Sequence, residues 1–156
     1  MTLRFGRLAD VPITAIIALH GDPRVRRHLP LSTGDADEAR WRAWVAAKEQ
    51  EWQRHGRGPW ACFDGDAFIG WGGLQDEAGD ADVALVLDPA AWGHGAALLR
   101  MILAQARDVF RLTSVTIHLP PSRARNGALA RVGFVAEADV CLAGVCFTRY
   151  RCRLLP

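Results

Sequence analysis

Asp82-Val83-Ala84-Leu85-Val86-Leu87-Asp88-Pro89-Ala90-Ala91-Trp92-Gly93-His94-Gly95-Ala96-Ala97-Leu98-Leu99 is the stretch whose reading decides the fold. Residues 82–87 are an apolar run behind one acid, with side chains suited to both faces of a sheet, as a centrally buried strand requires. Asp88-Pro89 stops that strand, because proline lacks an N–H and pushes the preceding residue out of helical space. Between Gly93 and Ala97 only His94 carries a bulky side chain, so several backbone N–H groups converge where a helix begins. The first donors of a helix are unpaired and its dipole end is positive, which makes such a place an anion site, usually for phosphate. The other reading is a tight turn whose glycines serve packing alone. A nucleotide P-loop is excluded, since no Gly-Lys-Ser/Thr follows.

Outward from this stretch the elements alternate. On the C-terminal side, a helix from about Gly95 to Phe110 presents Leu99, Ile102, Leu103, Ala106 and Val109 on one face. Ser114 to Leu119 reads as a strand ended by Pro120-Pro121, and Ser122 to Val132 as a short helix closed by Gly133-Phe134. Val135 to Leu142 and Val145 to Leu154 form a terminal strand pair around Gly144. In the last strand Cys146, Thr148, Tyr150 and Cys152 share an expected buried face, and Arg149, Arg151 and Arg153 a wet one.

On the N-terminal side, Pro59 to Phe63 and Ala67 to Leu74 flank Asp64-Gly65-Asp66, a strong hairpin signal. Gly70, Gly72 and Gly73 predict close backbone approach or a bulge, and Gln75 to Asp80 a polar turn. Earlier still, Leu3 to Leu8 is a first strand, and Asp10 caps a helix through Ile13, Ile16, Ile17 and His20. The basic segment Arg24 to Leu29 follows. Asp35 with Glu38 starts a second helix carrying Trp41, Trp44, Val45, Lys48 and Trp52 at helical spacing, a stripe read as core, and Gly56 ends it.

Composition sets bounds. The 156 residues suit one domain, and 50% hydrophobic with 23% charged residues is ordinary for a soluble globular chain. A net charge of +2 and a single lysine, with no basic stripe interleaved with aromatics, give no sign of nucleic-acid binding. No stretch approaches membrane-spanning length. Cys62, Cys141, Cys146 and Cys152 form no C-x-x-C and are expected to be buried reduced thiols, from which a cytoplasmic location follows. The five histidines show no metal-ligand spacing, so no metal is expected.

The segment Trp92-Gly93-His94-Gly95-Ala96-Ala97 resembles the acyl-CoA pyrophosphate loop of the GCN5-related N-acetyltransferases (GNAT; pattern Arg/Gln-x-x-Gly-x-Gly/Ala). Gly95 and Ala97 fit the last two fixed positions, and Trp92 replaces the leading Arg/Gln. The flank from Val83 to Trp92 is similar to the subgroup of ribosomal-protein N-terminal acetyltransferases, and the order of elements matches the family along essentially the whole chain. The resemblance implies a single α+β domain over residues 1–156, with a mixed, mostly antiparallel sheet of six to seven strands flanked by about four helices. It implies acetyl-CoA as co-substrate: the N–H groups of Gly93, His94, Gly95, Ala96 and Ala97 beside Trp92 hold the pyrophosphate. The Val86-Leu87 backbone then binds the pantetheine arm; Arg125 reads as a further phosphate contact or as a solvated helix residue. Relatives commonly form homodimers.

Acetyl transfer from a thioester to an amine needs a neutral amine, a polarised carbonyl and a stabilised thiolate. Asp82 is the candidate base, standing where the similar subgroup often has Glu; alternatively it is the solvated end of a polar turn. Ser122 aligns where relatives place an Asn near the sulfur, but it also reads as a helix N-cap. Arg26 and His28 fall in the segment that borders the acceptor in the subgroup, against a solvated loop. Since the family's first two helices border that cleft, the resemblance implies that part of the tryptophan stripe serves both core and cleft. His118 ends a strand near the cofactor region and suits acid–base work, against a capped or solvated strand-end residue. Tyr150 matches no family motif and reads as core. The function implied is direct, acetyl-CoA-dependent N-acetylation of a protein N-terminus or a small amine; the alternative is an acyl-CoA-binding module that has lost its chemistry.

Overall fold

The computed structural model describes residues 2–29, 37–123 and 127–154. The first strand, β1 (Leu3–Gly6), leads through a 3-10 turn at Leu8–Asp10 to helix α1 (Ile13–Gly21). Asp10 belongs to that turn, so it does not cap α1; Pro12 occupies the N-cap position. The basic segment folds as a short helix, α2 (Pro23–Arg26), because the Asp22 carboxylate accepts from the Arg24 N–H at 2.8 Å and Pro23 supplies a helical φ. Helix α3 (Glu38–His55) is capped by Asp37, whose side chain accepts from the Arg40 N–H at 2.8 Å. The expected cap, Asp35, lies outside the described residues.

The hairpin of β2 (Pro59–Asp64) and β3 (Ala67–Glu77) forms around Asp64-Gly65-Asp66 as expected, and β4 (Asp80–Leu87) pairs antiparallel with β3. The polar segment Gln75 to Asp80 is mostly strand. Gln75, Asp76 and Glu77 pair with Asp82, Ala81 and Asp80, leaving only Ala78-Gly79 to turn, because ladder bonds come from backbone and do not need apolar side chains. The glycines of β3 mark close approach. A Cβ on Gly70 would sit 2.2 Å from the Val86 carbonyl, and one on Gly73 2.4 Å from the Gly58 carbonyl.

A 3-10 turn, Pro89–His94, feeds helix α4 (Gly95–Asp108). Leu99, Ile102, Leu103 and Ala106 on its inner face are buried, but the helix stops at Asp108, and Val109, expected on that face, is 59% exposed. Strand β5 (Ser114–Leu119) follows. The segment read as one helix from Ser122 divides into a 3-10 turn (Pro121–Arg123) and α5 (Gly127–Val132); Arg125 lies between them, outside the described residues. Strands β6 (Phe134–Leu142) and β7 (Val145–Arg153) close the chain.

The seven strands make one sheet in the order β1-β2-β3-β4-β5-β7-β6, antiparallel except for β4 and β5. Helix α4 packs one face through Leu99, Ile102 and Leu103 against Leu74, Val83 and Val115. On the other face Leu8, Ile16, Leu19 and Val25 meet Ala61, Trp71 and Val86, with Trp41 and Trp44 of α3 against them. The tryptophan stripe is therefore partly core, as read.

At the C-terminal hairpin two expectations fail. Cys141 and Cys146 are exposed and joined by a disulfide, because the turn at Ala143-Gly144 sets them directly opposite with Cα atoms 4.0 Å apart. Cys62 and Cys152 are buried free thiols, and burial pushes Cys62 up to about 12. The reduced-thiol ground for a cytoplasmic location does not hold for the bonded pair. Strand β7 also buries a residue on each face: Cys152 faces the α4 core, while Phe147 is buried among the residues of the opposite face. That second face carries Arg151, which bridges Asp80 (3.1 Å), Glu137 (3.1 Å) and Ser114 (3.0 Å).

Candidate functional site

Strands β4 and β5 pair only at Asp82–Thr116 and Val83–Ile117, yet β4 continues to Leu87 and β5 to Leu119. Past that fork Ala84 to Leu87 have no strand neighbour on the β5 side, and a cavity of about 800 Å³ occupies the gap. Its lining includes Val86, Leu87, Trp92, Gly93, Gly95 and Ala96.

The N-terminus of α4 opens at the mouth of this cleft. The Gly95 N–H is taken by the Trp92 carbonyl, so the anion-facing donors expected in the loop are reduced to its neighbours, with Ala96 and Ala97 in the first helical turn. No side chain caps the helix at His94. Gly93 has no heavy atom within 4 Å of where a Cβ would stand, and Gly95 only Leu87 Cδ1 at 3.9 Å, so the loop leaves room for a bulky anion. The His94 ring turns to the Asp64 carboxylate (3.8 Å) and is absent from the cavity lining. Trp92 takes a definite role: its indole N–H donates to the Leu87 carbonyl at 3.0 Å, tying the loop to the end of β4 and occupying that carbonyl. Acyl-CoA fits here: an unpaired strand edge for an amide-bearing arm, then a capless helix start for a pyrophosphate.

Asp82 is at the fork, and its neighbours change its reading. It is not a solvated turn residue: its side chain is 13% exposed, Thr116 Oγ1 donates to Oδ1 at 2.7 Å, and His118 Nδ1 lies 2.7 Å from the same oxygen. Burial raises the Asp82 pKa, and the bonds from Thr116 and His118 act against that rise. His118 is 10% exposed and lines the cavity, so the solvated strand-end alternative fails too. In the tautomer that gives Nδ1–H to Asp82, Nε2 is the nitrogen left to accept a proton, and it has no hydrogen-bond partner among the described residues. Asp82, Thr116 and His118 share a face because alternate residues of a strand do and because parallel pairing sets Asp82 beside Thr116. Sequence reasoning named Asp82 but not the pair; the Thr116-x-His118 alternation was its only trace.

His28 and Ser122, read separately from sequence, are brought together. His28 Nδ1 is 2.8 Å from Ser122 Oγ, and its ring meets Trp92 edge-on at 5.9 Å between centroids. Burial, then Arg123 and Arg27, lower the His28 pKa. Ser122, in its 3-10 turn, is thus bonded across to α2's C-terminal end. Arg26 lies on α2 and does not line the cavity. Tyr150 packs against the α4-side core, as read.

The remaining wall comes from α1 and α3, where part of the tryptophan stripe lines the cavity as well as the core, as the resemblance implied. His20 of α1 is buried, stacks on Trp41 at 4.3 Å, and is fixed between the Ile16 carbonyl (2.9 Å from Nδ1) and the Trp71 indole N–H (3.1 Å from Nε2). Nε2 accepts from the Trp71 indole and so carries no proton, and burial lowers the His20 pKa in the same sense. Lys48 extends over Trp44 and Trp71 and donates to Gln75. Among the described residues no group of three His, Cys, Asp or Glu side chains could hold a metal ion, and no helix is long and apolar enough to cross a membrane.

A model of the acetyltransferase (GNAT) domain matches residues 1–135 of the chain. No curated protein matches its sequence. Among solved structures it is similar to a protein from Bordetella pertussis assigned to the GnaT acetyltransferase family, at 15% identity and a TM-score of 0.79 over 96% of this chain and 95% of that one. An acetyltransferase from Agrobacterium tumefaciens superposes with a TM-score of 0.77 at 16% identity, covering 96% of this chain and 89% of the other. A spermidine N-acetyltransferase from Vibrio cholerae does so at 0.70 and 14% identity, covering 99% and 95%.

Proposed function

The chain belongs to the GNAT acetyltransferase family, and on that premise we propose that it moves an acetyl group directly from acetyl-CoA to a primary amine within a ternary complex. The observation that carries this reading is the fork between β4 and β5, which opens beside the start of α4 and holds the His118–Asp82 pair at its root.

The pantetheine arm lies along the unpaired part of β4, at Val86 and Leu87, and the pyrophosphate meets the start of α4 beside Gly93 and Gly95, where Ala96 and Ala97 are in the first helical turn. The acceptor amine loses its proton to His118 Nε2 as its nitrogen attacks the thioester carbonyl. Asp82 and Thr116 fix the imidazole tautomer and balance the charge that forms on it. Collapse breaks the C–S bond. Ser122, backed by His28, supplies a proton to the departing thiolate and recovers one from solvent, while His118 releases the amine's proton to solvent, so no proton is gained or lost overall. Holding thioester and amine in one cleft supplies much of the acceleration, up to about 7–11 kcal/mol in well-oriented cases.

Two acceptor classes fit this outline. The similarity of Val83 to Trp92 to ribosomal-protein N-terminal acetyltransferases supports a protein N-terminus; the spermidine N-acetyltransferase among its structural neighbours supports a small amine.

Thermal unfolding with acetyl-CoA, with ATP and NAD as controls, tests the cofactor half. Ligand at a hundred times its dissociation constant adds about 2.7 kcal/mol. A shift with acetyl-CoA alone is expected; no shift overturns the reading. Free thiol release with an amine panel tests the chemistry, and binding without turnover of any amine would leave an acyl-CoA-binding module.

A further inference from the structure

Lys48 is the only lysine of the chain, and α3 puts it in the cavity wall. Its ammonium nitrogen lies 5.4 Å from the Trp44 ring centroid and 5.2 Å from that of Trp71, and it donates to the Gln75 side-chain oxygen. Among the described residues no carboxylate stands within ion-pair distance of it. The negative charge that acts on it is Glu51, one turn along α3, whose carboxylate faces His55 at 3.6 Å. Arg40, two turns before Lys48 on the same helix, lines the same cavity.

Among the described residues, the other titratable groups that line the cavity do not neutralise these two cations. His20 is neutral and accepts from Trp71. Asp82 is engaged by Thr116 and His118, and His28 with Arg123 adds no negative charge. A half-buried ammonium whose described contacts are an amide and two indole faces is favoured by an incoming anion, since charge in a low-dielectric place is costly until paired. A second protonated amine on the acceptor meets repulsion there instead. Trp41, Trp44 and Trp71 offer flat apolar surface beside the cations.

We infer that the acceptor is a small amino carboxylate, an amine whose anionic group is read by Lys48 and Arg40 and whose apolar or aromatic body lies on the tryptophans. This inference rests on the acetyl-transfer reading. It separates the enzyme from one built for polyamines, in which cations would have to enter the same wall.

The test uses matched pairs with and without the carboxylate: tryptophan and tryptamine, phenylalanine and phenethylamine, arginine and agmatine, with spermidine beside them. The readout is kcat/KM with acetyl-CoA for the wild type, Lys48→Met and Lys48→Arg. A charge-assisted contact of this kind corresponds to about 10- to 100-fold in the ratio of carboxylated to decarboxylated substrate. That ratio should collapse in Lys48→Met and return in Lys48→Arg. Unfolding with acetyl-CoA reports whether each variant still folds and binds the cofactor. Preference for spermidine or the decarboxylated amines in the wild type, or an unchanged ratio in Lys48→Met, overturns the inference and leaves acetyl transfer standing. An acetyl-CoA shift with no turnover of any amine overturns both.

Discussion

His118 Nδ1 lies 2.7 Å from Asp82 Oδ1, and both side chains are nearly closed to bulk solvent. They come from strands 36 residues apart in sequence that run parallel for two registered pairs and then separate. The imidazole thus has one nitrogen held by Asp82 and, among the described residues, the other without a partner, on a side chain that lines the cavity. A carboxylate behind an imidazole orients it and stabilises its charged form, which is the arrangement a general base needs.

If His118 takes the proton, His118→Gln lowers kcat by about 10²–10⁴-fold with KM little changed, the usual range for a lost proton-transfer group. Asp82→Asn, which keeps shape but removes the charge, falls in the same direction. Steady-state kinetics at saturating acetyl-CoA decide it. A kcat within a few-fold of wild type in His118→Gln would hand the base role to water.

The cofactor loop makes a separate prediction. Gly95→Glu has room, since its Cβ meets nothing nearer than Leu87 Cδ1 at 3.9 Å, but it puts negative charge where a pyrophosphate belongs. The variant should unfold near the wild-type temperature and show no acetyl-CoA shift. A retained shift would mean that the anion lies elsewhere.

Gly70→Ala behaves in the opposite way. A Cβ there stands 2.2 Å from the Val86 carbonyl at φ +148°, so β3 and β4 must part. The expected loss is about 1–3 kcal/mol, as for other overpacked sites, and it appears in denaturant unfolding without any ligand. Because β4 carries the cofactor edge, acetyl-CoA affinity should fall with it.

The central strand, the loop and α4 were legible because each announces itself locally: an apolar run, Asp88-Pro89, small residues, then helical periodicity. The hairpin at Asp64-Gly65-Asp66 was legible for the same reason. The His118–Asp82 pair was not, since it depends on the parallel register of two strands that no local signal fixes. Lys48 was counted into an apolar stripe, and only the placement of Trp71 and Gln75 shows that it faces a cavity. Asp37 took the capping role assigned to Asp35, two residues on, and α1 begins after Pro12 with no side-chain cap in place of Asp10, differences of a few residues that cap chemistry alone does not resolve. The disulfide had a visible signal: Cys141 and Cys146 are equidistant from a two-residue turn.

That disulfide closes a short loop, and the chain-entropy model gives it about 2 kcal/mol. Reduction, or the Cys141→Ser, Cys146→Ser double variant, should therefore lower the melting temperature by about 4–8 °C in a chain of this size. The pair is exposed at the hairpin tip and is not in the cavity lining, so acetyl-CoA should shift the melting temperature equally before and after reduction.

His20 makes the fold sensitive to acid. Its Nδ1–H donates to the Ile16 carbonyl and its Nε2 accepts from the Trp71 indole, so a second proton would set N–H against N–H inside a tryptophan cluster. Burial, the larger effect, and Lys48 lower its pKa below 6.5, while the Ile16 bond opposes them. In the unfolded chain the ring takes a proton near 6.5, where the folded chain still refuses one. The unfolded state then binds more protons, and stability falls as pH drops below 6.5 toward the folded pKa; above that window it is flat. His28, also lowered, adds in the same direction. Melting temperatures measured from about pH 7.5 down to about 5 should decline in the wild type and decline less steeply in His20→Gln, which cannot take up a proton in either state. Equal slopes in the two proteins would mean that His20 is protonated in the folded core, and that the Trp71 indole does not point at its lone pair.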